Sequence, residues 1–153
     1  MKIRDIMTPE PRICTPETTL AVAAGQMWDT DCGILPVVED GALVRVLTDR
    51  DICIALATRP ARAAAMKVGE VAARTVWTCG PDEDPHVALA AMKTHRVRRL
   101  PVVDARGHLV GVISLNDLVL AAGPDAAVRG DEVVDTLKAI CAHHLPAPKA
   151  VAA

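Results

Sequence analysis

The chain has 153 residues, a length that suits one compact domain or two small fused repeats. Apolar residues make up 51%, enough for a sizeable core, but with two Trp and no Phe or Tyr that core is built from Ala, Val, Leu, Ile and Met. A net charge of −2 with no long basic block, and the lack of aromatic stacking platforms, argue against a nucleic-acid partner. No apolar run approaches the roughly 20 residues of a membrane helix. Met1-Lys2-Ile3-Arg4-Asp5 carries an acid at once and lacks a signal peptide's apolar stretch, so a cytoplasmic protein with no membrane partner is expected. Five cysteines, an odd number, then point to free thiols.

In chain order, Arg12-Ile13-Cys14-Thr15 reads as a short extended piece. A helix follows, capped by Thr18 or Thr19, with Leu20, Ala23, Ala24 and Met27 on one apolar face. Residues 34–39 and 43–47 are strands joined by a hairpin turn at Asp40-Gly41. A second helix starts at Thr48, and the Ala/Arg-rich residues 58–68 continue it as a linker helix. The order then repeats. Val76-Trp77-Thr78-Cys79 is extended, Asp84-Pro85 starts a helix, residues 100–104 and 109–113 pair, and a helix starts at Ser114. Gly123-Pro124 breaks that helix. Residues 131–141 form an extra amphipathic helix with Val134, Leu137 and Ile140 on one face, before a frayed Ala/Pro-rich end.

The two halves match at a fixed offset: Pro16 with Pro81 (81 − 16 = 65), Cys14 with Cys79, Met27 with Met92, and Leu35-Pro36-Val37-Val38 with Leu100-Pro101-Val102-Val103. One residue is then inserted, and Thr48-Asp49-Arg50-Asp51 matches Ser114-Leu115-Asn116-Asp117 at 66. The fold class is therefore α+β: two tandem β-α-β-β-α repeats plus a short C-terminal helix. The divisions are residues 1–58, a linker at 59–68, residues 69–122, and a helix and tail at 123–153.

The most informative motif is a hydroxyl residue followed three positions later by Asp at a helix start, present twice: Thr48 with Asp51, and Ser114 with Asp117. One reading is a capping box. The other is a nucleotide site, in which the helix start holds phosphate and the Asp accepts hydrogen bonds from ribose hydroxyls. The two are compatible, and duplication within duplicated repeats favours binding.

With Arg4-Asp5-Ile6-Met7-Thr8, the paired Leu-Pro-Val-Val strands and the paired Ser/Thr-x-x-Asp starts, residues 1–122 resemble a pair of CBS domains, a Bateman module. The chain is also similar to small stand-alone bacterial CBS proteins of the hypoxic-response type. The resemblance implies two repeats related by a pseudo-twofold axis, a homodimer, and two clefts for AMP, ADP, ATP or a related adenosyl ligand. It implies a regulatory role without catalysis, the signal passing to an effector protein. Asp117 would hold ribose in one site, with Ser114, Asn116, Arg98 and Arg99 on the phosphate side and Trp77 bordering adenine. Asp51 would do so in the other, with Thr48 and Arg50. Thr15 and the strand starts Ile34-Leu35-Pro36 and Leu100-Pro101 complete the set. Gly33-Ile34 stands where the second repeat has Arg98-Arg99, and Arg45 where it has Gly111, so the first site lacks the basic pair and Arg50 or Arg12 would substitute. Arg98-Arg99 also fits a solvated strand end, and Trp77 a core or interface role.

Two other chemistries remain open. Cys14 and Cys79 occupy equivalent positions, which permits a redox-sensing pair, and Cys141 with His143 and His144 permits a metal site. Either would make an interaction module responsive to redox state or metal. No nucleophile with a His partner, P-loop or dinucleotide glycine pattern is present, so neither catalytic residues nor a catalytic cofactor is predicted.

Overall fold

The structure is a computed structural model that describes residues 1–142. The first repeat contains α1 (Leu20–Asp29), β2 (Ile34–Glu39), β3 (Ala42–Thr48) and α2 (Asp49–Thr58), preceded by a short strand β1 (Thr8–Pro9). The second contains α4 (Pro85–His95), β4 (Arg99–Val103), β5 (Leu109–Ser114) and α5 (Leu115–Ala121). A single-turn helix α3 (Val68–Val71) precedes it and α6 (Gly130–Cys141) follows it. No helix among the described residues is long and apolar enough to cross a membrane.

Local chemistry sets the boundaries. Thr19 accepts from Val22 N–H at the start of α1, and Asp84 accepts from His86 N–H at the start of α4, with Pro85 at the first helical position. The hairpin between β2 and β3 turns on Asp40 (φ 50°) and Gly41 (φ 83°), the left-handed pair a tight turn requires. Both hairpins are antiparallel, and both shift register at equivalent valines, between Val37 and Val38 and between Val102 and Val103. Leu35, Val37 and Leu47 centre one core; Leu100, Val102 and Ile113 centre the other. Leu20, Met27, Leu89 and Met92 supply the buried helix faces.

The leading segments are exchanged between these two bodies. Ile3, fully buried, packs into the core of the second repeat, and β1 pairs with β5 through Thr8 and Val112. Reciprocally, Met66, Val68 and Ala72 pack into the core of the first repeat, and Ala73 bridges to Val46. The hydrogen bonds repeat the relation. Arg4 N–H donates to Pro81 O (3.0 Å) as Gly69 N–H donates to Pro16 O (2.9 Å), and Ile3 N–H to Glu83 O (3.0 Å) as Val68 N–H to Thr18 O (2.8 Å). Each repeat is thus closed by the segment that leads into the other.

The linker is not a continued helix. Arg59 is extended (φ −116°, ψ 138°) because it precedes Pro60, whose ring disfavours helical geometry at the residue before it; only one 3-10 turn, Ala63–Ala65, follows before α3. In α6 the buried residues are Val133 and Thr136, with Ile140 half-buried, while Val134 and Leu137 are exposed. The apolar face thus lies about one position from the expected one. Thr136 tolerates burial because its hydroxyl donates to Glu132 O at 3.0 Å.

Candidate functional site

Both helix-start motifs form reciprocal capping boxes. Ser114 donates from its backbone N–H (2.7 Å) and hydroxyl (2.6 Å) to Asp117 Oδ2, and Asp117 N–H donates back to Ser114 Oγ (3.2 Å). Thr48 and Asp51 repeat this at 2.9, 2.7 and 3.2 Å. Each box engages Oδ2, so Oδ1 stays outside it. Capping and ligand contact can therefore coexist on one carboxylate. Both Asp residues are half-buried, their helix starts fixed by the strands that deliver Thr48 and Ser114.

The two motifs open on clefts of different size. Asp117, Ser114 and Asn116 line one of about 480 Å³. The exchanged leading segment supplies Thr8, Glu10, Pro11 and Arg12 to it, the first repeat adds Thr30, Asp31, Cys32 and Ile34, and Arg99 and Val112 complete the wall. Asp51 and Thr48 line one of about 130 Å³ with Val46, Ala73, Thr75, Val76, Trp77, Val97, Arg99 and Pro101. Sites for small molecules span about 300–1,000 Å³, so only the first cleft has room for a nucleotide as it stands.

Several predicted positions fall differently from expectation. Trp77 lies in the Asp51 cleft, stacked on His95 (centroids 3.5 Å apart, planes at 5°), and Arg12 lies in the Asp117 cleft. The exchange of leading segments causes both. Arg98 turns away: its guanidinium lies 4.0 Å from Cys141 Sγ, and its carbonyl accepts from Leu115 N–H. Arg50 is exposed on α2 and lines neither cleft. Thr15 is held by Thr18, its backbone N–H donating to Thr18 Oγ1 at 3.0 Å. Leu35 and Leu100 are fully buried core residues, and Pro36 offers its carbonyl to Cys14 N–H. Arg99 reaches both clefts. Among residues the sequence reading did not single out, Glu10, Pro11, Asp31 and Val112 line the larger cleft. Glu10 and Pro11 are the repeat partners of Thr75 and Val76 (10 + 65 = 75, 11 + 65 = 76), which line the Asp51 cleft.

The cysteine pair does not form a reactive centre. Cys14 and Cys79 sit in separate cores, and burial pushes their thiols up to about 11 and about 12, with Glu83 adding to the rise at Cys79. Thiols held so far above neutrality stay protonated and are poor nucleophiles. Cys141 is exposed at the end of α6, while His143 and His144 lie outside the described residues. Among the described residues no group of three or more His, Cys, Asp or Glu is placed to hold a metal.

A family model described as the CBS domain matches residues 3–58 and 68–123, and the chain belongs to this family. CBS domain-containing protein YhcV of Bacillus subtilis (strain 168) is 36% identical over 118 residues, 77% of this chain and 83% of that protein. Inosine-5'-monophosphate dehydrogenase of Thermoplasma acidophilum is 33% identical over 126 residues, but the chain spans only 24% of that enzyme. Hypoxic Response Protein I, solved with two coordinated zinc ions, superposes with a TM-score of 0.73 at 30% identity, covering 80% of this chain and all (100%) of that one. CBSX2 in complex with AMP superposes at 0.68 and 25% identity (78% and 94% covered). The CBS domain pair of MJ0100, in complex with 5'-methylthioadenosine and S-adenosyl-L-methionine, does so at 0.71 and 26% (78% and 98%).

Proposed function

We propose that this chain is a non-catalytic, cytoplasmic regulatory module that binds an adenosyl ligand in the Asp117 cleft and passes its occupancy to a partner protein. The observation that carries the reading is the composition of that cleft. A helix-start carboxylate with one oxygen outside its cap, two guanidinium groups (Arg12 and Arg99) and apolar walls from Pro11, Ile34 and Val112 meet in a space of nucleotide size. Asp117 would accept from the ribose hydroxyls, Ile34 and Val112 would flank the base, and Arg12 or Arg99 would meet phosphate. The adenosyl ligands of CBSX2 and MJ0100 support the class of ligand.

Charge narrows the choice. Two guanidinium groups share the cleft with the carboxylates of Glu10, Asp31 and Asp117. Such a balance suits AMP or an adenosyl sulfonium better than ATP, whose extra phosphates would meet uncompensated acid. The ligand touches both repeats and the exchanged segment, so it favours one relative arrangement of them. It shifts that equilibrium only by its differential affinity for the arrangements. The same reading includes a homodimer. Leu120, 85% exposed on α5, offers apolar surface for it, and a monomer by sedimentation at micromolar concentration would remove that part.

The test is calorimetric titration of ligand-free protein with AMP, ATP, S-adenosyl-L-methionine and GMP. Binding of AMP or the sulfonium, weaker binding of ATP and none of GMP is the expected order. Equal affinity for GMP, or no binding by any of the four in folded protein, would end the adenosyl reading.

A further inference from the structure

Through the repeat offset, the two clefts draw on matching positions, and two of these exchange a cation for an apolar group. Arg12 in the Asp117 cleft is matched by Trp77 in the Asp51 cleft (12 + 65 = 77), and Ile34 is matched by Arg99 (34 + 65 = 99). By its place in the repeat, Arg99 therefore belongs to the Asp51 cleft. Pro101, two residues on along the same face of β4, lines that cleft too. The long side chain of Arg99 also reaches the Asp117 cleft, which already has Arg12 as a cation of its own. One guanidinium thus serves both clefts.

No partner anchors that group to either cleft. Arg99 is half-buried, and its side chain makes no hydrogen bond or ion pair among the described residues. Its Nη1 lies against Gly33, 3.4 Å from where a Cβ would stand, and Asp49 Oδ2 lies 2.9 Å from the same point. Further carboxylates stand on both sides: Asp31 and Asp117 line one cleft and Asp51 the other. A half-buried guanidinium without an acceptor gains most from a phosphate, whose oxygens match its fork of donors. The cleft it would leave is the small one of about 130 Å³, where it shares the wall with Trp77. Trp77 is 42% exposed and stacks on His95 at the end of α4, so a change there reaches the surface.

We propose that Arg99 couples the two clefts. A phosphate bound beside Asp117 draws the guanidinium to itself and out of the Asp51 cleft, and the wall that Arg99 shares with Trp77 loosens. Occupancy of one cleft is thereby read at Trp77 in the other, on a surface open to a partner protein. The driving force is the contact between phosphate and guanidinium, made only in the withdrawn arrangement. An adenosyl ligand with no anionic group leaves Arg99 in place and is not signalled. This inference rests on the adenosyl reading of the Asp117 cleft and supplies the regulation of that site.

The probes are AMP and adenosine, read by the fluorescence of Trp77 in the full chain carrying Trp28→Phe. That change leaves Trp77 as the single tryptophan, and Trp28 lines neither cleft. Equilibrium dialysis on the same protein measures binding separately from the signal. Saturating AMP should shift the Trp77 emission, and bound adenosine should not. Arg99→Gln should weaken AMP by ~10-fold or more, as loss of a charged hydrogen-bond donor does, and should abolish the shift at saturation. Arg12→Gln should also weaken AMP but keep the shift at saturation, because Arg12 does not line the Asp51 cleft. Bound AMP with a silent Trp77 overturns the proposal and leaves the adenosyl reading standing. So does an equal shift with bound adenosine, or a shift that survives Arg99→Gln. AMP lost in Asp51→Ala but kept in Asp117→Ala would put the phosphate beside Trp77 directly and overturn it too. No AMP bound in dialysis ends the adenosyl reading and this inference together.

Discussion

Replacing Gly111 by Ala tests the segment exchange on which the site depends. A Cβ built on Gly111 would sit 2.5 Å from Met7 Sδ and 3.1 Å from Met7 Cε, both far inside van der Waals contact, and 3.0 Å from the backbone oxygen of Thr8. The Met7 side chain can swing away, but Thr8 is held by its pairing with Val112. Overpacking of this kind costs about 1–3 kcal/mol, or ~2–4 °C in Tm per kcal/mol for a chain of this size. The first repeat shows the compensation. Arg45 replaces the glycine there (45 + 66 = 111), and the residue matching Met7 is the small Ala72 (7 + 65 = 72). Met7→Ala should therefore relieve much of the strain, leaving the Thr8 contact, and a double-mutant cycle by urea unfolding should give a coupling of about 1 kcal/mol or more. A neutral Gly111→Ala, or the same cost whether Met7 is kept or truncated to alanine, would mean that the leading segment does not lie against β5.

Three further outcomes follow from the same structure. Ser114→Ala removes a cap from a half-buried helix start and should cost about 1–2 kcal/mol in urea unfolding, as should Thr48→Ala; a loss below ~0.3 kcal/mol at both would contradict the boxes. His86 has its pKa raised above 6.5, first by its bond to Asp84 and then by Glu132 on α6. Its contribution is complete below pH 6.5 and is lost as pH rises through the higher folded value. The Tm gap between wild type and His86→Gln should thus narrow from pH 5.5 to 8.5, and a constant gap would refute the link. Thiol titration at pH 8 should label exposed Cys53 and Cys141 in the native protein, and Cys14 and Cys79 only in denaturant; native labelling of the last two would reopen redox sensing.

Local signals carried most of the fold. The Asp84-Pro85 start, the Asp40-Gly41 turn and the two Ser/Thr-x-x-Asp boxes are written in a few adjacent residues, and each forms as those residues require. The break after Thr58 was equally local, since Arg59 precedes Pro60, but alanine-rich composition outweighed it. The face of α6 was ambiguous because Val133 and Val134 are adjacent, and which one turns inward depends on α4 and α5. The segment exchange had no local signature. Ile3-Arg4-Asp5-Ile6-Met7 reads the same whichever repeat it closes, and only the tertiary hydrogen bonds to Pro81 and Glu83 decide it. The composition of the clefts depends on the same exchange. Assigning the leading segments to their own repeats pairs Trp77 with Asp117 and Arg12 with Asp51, whereas in the structure Arg12 lines the Asp117 cleft and Trp77 the Asp51 cleft. Arg99 was placed near phosphate from its strand-start position, but its reach into two clefts is a property of the packed pair.

Of the two clefts at the helix-start motifs, the one at Asp117 is of nucleotide size and is the proposed ligand site. Equilibrium dialysis of radiolabelled AMP against wild type, Asp117→Ala and Asp51→Ala tests it most directly, because it counts sites as well as affinity. About one AMP per chain is expected, lost in Asp117→Ala and kept in Asp51→Ala, since of the two clefts at the helix-start motifs that of Asp117 falls in the size range of ligand sites and that of Asp51 below it. Loss of AMP in Asp51→Ala with retention in Asp117→Ala would place the ligand in the smaller cleft and contradict the assignment.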